Sequence, residues 1–87
     1  MKHYLLICRS ITHAQRMNAL LKSAGVSGRI YRPPVMLNQK GCSYAVRIGT
    51  NAFSEVIDLL RAERMLPERI FYGDEDGYRE IMLQGMY

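Results

Sequence analysis

The order in which the hydrophobic period changes along the chain is what most limits its fold. Short β-type apolar runs and two segments of helical period follow one another as β-α-β-β-α-β within only 87 residues. The first run is HYLLIC, residues 3–8. In the following SITHAQRMNALLKSAG, Ala14, Met17, Leu20, Leu21 and Ala24 recur at helical spacing. Thr12 with Gln15 predicts a capping box at its start, and Gly25 a left-handed stop at its end. A second strand is expected from Ser27 to Arg32, ended by Pro33 and Pro34, which lack the N–H that a central strand needs. A third is expected from Ser43 to Ile48, with Tyr44, Val46 and Ile48 on one face and Ser43, Ala45 and Arg47 on the other. Phe53, Val56, Ile57 and Leu60 mark a second helix that starts near Asn51 and must stop before Pro67. A fourth strand, Arg69 to Tyr72, leads into the acidic turn GDEDG.

In so short a chain this order predicts an α+β fold, a ferredoxin-like sandwich with a four-stranded antiparallel sheet and both helices on one face. The expected domain covers residues 1–77. The remaining YREIMLQGMY, residues 78–87, is too apolar for a disordered tail and is expected to be a C-terminal extension, strand or short helix, packing on a sheet edge or a partner subunit. The apolar run near the start is too short for a signal sequence or a membrane span, so a soluble cytoplasmic protein is expected. Cys8 and Cys42 show neither a CxxC spacing nor a disulfide framework, so reduced thiols are expected, with no metal site and no cofactor. Asp74, Asp76 and Gly77 resemble the start of a calcium loop but lack its distal glutamate, and read as a solvated turn.

Charge is divided unevenly. Residues 1–50 hold eight basic side chains and no acidic one, a balance of +8, whereas residues 51–87 hold four basic and eight acidic, a balance of −4. An anionic ligand or surface is therefore expected at the first half, unless the halves pack side by side and neutralise each other. In the expected topology the third strand lies between the first two, antiparallel to both. Its start, and so Cys42, then falls near Arg9, Ser10 and the first turn of helix one. Backbone N–H groups at Thr12, His13 and Ala14, the helix dipole, and the cations Arg9, Arg32 and Lys40 would favour a thiolate there, with His13 able to move a proton. Cys42 can equally be a small buried hydrophobe, and Cys8, inside an apolar strand, reads as structural.

The S-x-T-H-A pattern at Ser10 to Ala14, the helix end KSAG, the proline pair and the single cysteine before the third strand resemble the putative selenium/sulfur carrier-like family of small bacterial proteins, over about Tyr4 to Tyr72. In that family the cysteine is usually followed by glycine, whereas here the order is Gly41, Cys42, Ser43. The resemblance implies that Cys42 accepts a persulfide or selenide and passes it to a partner protein, as a carrier rather than a stand-alone enzyme. A nucleic-acid-binding module is the alternative, since Arg29, Tyr31 and Arg47 can share the sheet face opposite the helices, although no aromatic-rich RNP-type segment occurs. A small adaptor or regulatory module, dimeric through its C-terminal segment, is a third expectation.

Overall fold

The computed structural model describes residues 2–33 and 44–82. In chain order the elements are β1 (His3–Cys8), α1 (Ile11–Ser23), β2 (Arg29–Tyr31), β3 (Tyr44–Gly49), a 3₁₀ turn (Thr50–Ala52) running into α2 (Phe53–Ala62), β4 (Arg69–Asp74) and β5 (Gly77–Glu80). All strand pairs are antiparallel, in the order β2-β3-β1-β4-β5. β1 is therefore the middle strand. This explains why its sequence is apolar from Leu5 to Cys8 rather than alternating: Leu5 and Ile7 face one side, Leu6 and Cys8 the other, and all four are buried.

The sheet has five strands where four were expected. The fifth forms because the acidic turn closes a two-residue hairpin, with Asp74 paired to Gly77 and the Asp74 carboxylate accepting the Asp76 N–H at 2.9 Å. At the far end of the hairpin, Arg69 donates to both carboxylate oxygens of Glu80, at 3.0 and 2.9 Å. The hairpin needs a glycine at position 73, because a Cβ there would meet the Gly77 carbonyl oxygen.

Helix α1 begins two residues earlier than expected. Its N-cap is Ser10, in extended conformation, whose hydroxyl accepts the His13 N–H at 3.1 Å; its carbonyl accepts the Ala14 N–H at 3.0 Å. Thr12 is thus inside the first turn, and two of the three N–H groups expected to be unpaired already have partners. The stop at Gly25 is as expected: φ is +82°, the Gly25 N–H bonds Lys22 O and the Val26 N–H bonds Leu21 O. Helix α2 ends in the same way, but with Arg64 at the left-handed position, φ 54°, and the Met65 N–H bonded to Leu60 O.

The main core lies between one sheet face and both helices. Leu6, Cys8, Val46, Ile48 and Ile70 from the sheet meet Ala14, Met17 and Leu21 of α1 and Val56, Ile57 and Leu60 of α2. On the other face Leu5, Ile7, Ala45 and Phe71 form a second buried cluster, against which Tyr78 packs. Among the described residues, no helix is long and apolar enough to cross a membrane.

Candidate functional site

The end of β1 and the start of α1 face the end of α2 across a groove of about 380 Å³, lined by Arg9, Ser10, Thr12, His13, Arg16 and residues 63–66. Arg9 leaves β1 directly after the buried Cys8, and its guanidinium lies 4.0 Å from Glu68 in an exposed, solvent-screened pair. Thr12 and His13 follow on the first turn of α1. Arg16 joins them because it stands one helical turn beyond His13. Arg64 enters from just beyond the end of α2, in its left-handed conformation.

His13 carries the clearest electrostatic signature in the groove. Its Nδ1 is buried with no hydrogen-bond partner. Burial, then the Arg9 charge, with Arg16 adding to it and Glu68 opposing, hold the imidazole below its ordinary 6.5. A neutral imidazole beside several guanidinium groups can accept a proton and leaves the groove positive enough to hold an anion.

Cys8 is chemically silent. It has no solvent exposure, and its sulfur lies 3.7 Å from the Leu6 carbonyl oxygen and 3.8 Å from the Met17 sulfur. Burial, reinforced by Glu68, pushes its thiol from 9.0 up to about 12, so it does not form a nucleophilic thiolate at neutral pH.

Of the residues singled out from the sequence, the structure brings Arg9, Thr12 and His13 into one groove. Arg32 stands apart from its lining: it follows β2 and lies with its guanidinium 5.1 Å from the centre of the Tyr44 ring. Tyr44 opens β3 directly opposite Cys8, so the start of β3 does lie beside the end of β1, as expected from the topology. Lys40 and Cys42 lie outside the described residues. Sequence reading missed Ser10 as the cap, and Arg16 and Arg64 as groove residues. The first two carried local signals, a serine three residues before His13 and an arginine three residues after it. Arg64 carried none, because only packing brings the end of α2 to the start of α1.

Neither a curated protein nor a solved structure matches the chain. A family model described as "Putative Se/S carrier protein-like" matches residues 3–72, from the first residue of β1 to within β4. With that span covering most of its length, the chain belongs to the putative Se/S carrier protein-like family.

Proposed function

We propose that this protein is a thiol carrier that accepts sulfur or selenium on Cys42 and delivers it to a partner protein. The observation that carries the proposal is the burial of Cys8: with one of the two cysteines locked in the core as a thiol, Cys42 is left as the candidate nucleophile. The family description supports the same chemistry. Cys42 precedes Tyr44 by two residues, a covalent span of at most about 7 Å, and Tyr44 lies opposite Cys8, next to Arg9.

In the step proposed, the Cys42 thiolate attacks the terminal sulfur of a donor protein's persulfide. The donor S–S bond breaks, a new S–S bond forms on Cys42, and the donor leaves as a thiolate, with no net oxidation or reduction. His13 takes the proton of the Cys42 thiol; Arg9, Arg32 and Lys40, together with the Thr12 N–H in the first turn of α1, hold the anionic terminal sulfur. Delivery to an acceptor protein repeats the exchange in the opposite direction. A cytoplasmic setting fits this role, since thiols stay reduced there. The fold is read as a ferredoxin-like sandwich extended by β5, supported by the order of its first four strands and by the shared core of the two helices.

Intact mass measured without reductant, after incubation with a cysteine desulfurase and cysteine, tests the proposal. Wild type is expected to gain the mass of one sulfur and Cys42→Ser none. Equal gain in both proteins, or gain in neither, overturns it.

A further inference from the structure

The sheet face opposite the helices carries cations that the carrier chemistry does not use. Its register places Arg29 of β2 directly opposite Arg47 of β3, and Tyr31 opposite Ala45. Cross-strand partners point to the same face, with Cα atoms about 4.5–5.5 Å apart, and like charges so placed are destabilising. Neither arginine is in an ion pair among the described residues. Residues 1–50 contain no carboxylate side chain, and the ion pairs among the described residues are Arg9–Glu68 and Arg69–Glu80. Arg69 shows what neutralisation on this face looks like; Arg29 and Arg47 lack it.

The two arginines border a cavity of about 290 Å³ that is also lined by Lys2, His3, Ser27 and Tyr31, with no acidic residue. Its wall at His3 is fixed by a 2.6 Å hydrogen bond between the imidazole Nε2 and the Tyr78 hydroxyl. Tyr31 is 39% exposed, whereas the other described phenylalanine and tyrosine rings are buried or half-buried, and the Arg47 guanidinium lies 5.8 Å from its ring centre. Paired guanidinium groups match the geometry of phosphate oxygens, and an open aromatic ring beside them offers a stacking surface for a base.

We propose that Arg29, Arg47 and Tyr31 form a nucleotide-binding site, with the phosphate on the two guanidinium groups and the base on the tyrosine ring. The nucleotide is either free or one unit of a single-stranded nucleic acid. None of these residues is assigned to the thiol chemistry, and the proposed binding does not depend on that chemistry.

The test uses the full chain, a fluorescein-labelled single-stranded uridine octamer followed by anisotropy at about 50 and 200 mM salt, and unlabelled UMP as competitor. Arg29→Gln/Arg47→Gln is expected to weaken binding at least about tenfold and to flatten its salt dependence. Tyr31→Ala is expected to weaken it about tenfold with the salt dependence unchanged. Arg61→Gln, at an exposed position near the end of α2, removes one charge elsewhere and is expected to leave binding within about twofold. Displacement by UMP identifies a free nucleotide as sufficient, and binding of the octamer alone identifies a strand; both support the site. Failure of octamer and UMP to bind at the lower salt, no loss in Tyr31→Ala, or equal loss in Arg61→Gln overturns it. All four side chains are exposed, and thermal melts of the variants within a few degrees of wild type establish that the readout is binding.

Discussion

The Cys8 sulfur lies 3.8 Å from the Met17 sulfur, beneath helix α1 and out of reach of solvent. That contact accounts for Cys8 as a packing residue, which is the premise on which the carrier proposal for Cys42 rests. Because the Cys8 thiol is raised to about 12, it stays protonated throughout the neutral range. Cys42→Ser is therefore expected to resist a thiol-reactive chromophore at pH 8 in native buffer and to react fully in denaturant. Rapid modification of native Cys42→Ser would show that Cys8 is reachable after all.

The same shift links Cys8 to alkaline stability. A thiol that holds its proton more tightly folded than unfolded stabilises the fold fully below the unfolded value, and that contribution is lost between about pH 9 and pH 12. Cys8→Ala removes the titration along with some packing. Its denaturant midpoint should fall less steeply than wild type as the pH is raised from 8 to 10.

Helix α1 is capped by Ser10 and not by Thr12, and stability measurements can separate the two. Ser10→Ala leaves the His13 N–H without its acceptor and should cost about 1 kcal/mol in urea unfolding. Thr12→Ala, at an exposed position in the first turn, should change stability by less than about 0.5 kcal/mol. A larger loss at Thr12 than at Ser10 would reverse the assignment.

His13 should make the protein weaken on acidification. Its folded pKa lies below 6.5, so the unfolded chain binds a proton first as the pH falls. Stability is then present above 6.5 and is lost as the pH drops towards the folded pKa. A nuclear magnetic resonance titration should place the His13 midpoint below 6.5. His13→Gln should show a smaller drop in urea midpoint between pH 7.5 and pH 5 than wild type.

Two backbone positions should respond in opposite directions to glycine chemistry. Arg64 holds a left-handed conformation that penalises a residue with a Cβ, and Arg64→Gly should stabilise by about 1 kcal/mol. At Gly73 a methyl group would press on the Gly77 carbonyl, and Gly73→Ala should destabilise by about 1–3 kcal/mol. Thermal or urea unfolding of the two variants gives both signs directly.

Where recognition is local, the amino-acid sequence alone determined the outcome. Met17 and Leu21 of α1 and Val56, Ile57 and Leu60 of α2 follow the helical repeat and are buried together. The alternation Tyr44, Val46, Ile48 set which side of β3 meets the helices, because a strand's period is two. Gly25 ended α1 through its freedom at positive φ. Tertiary structure decided what depends on distant partners. Thr12 and Ser10 both offer a capping hydroxyl, and the choice of Ser10 followed from its extended conformation at the exit from β1. The fifth strand exists because residues 77–80 find the free edge of β4, which no local period announces. The groove joins residue 9 to residue 64, and the facing arginines join residue 29 to residue 47, through packing and register alone. Local periods cost only local order to read, whereas these meetings arise only after the loops between them have closed and the core has formed.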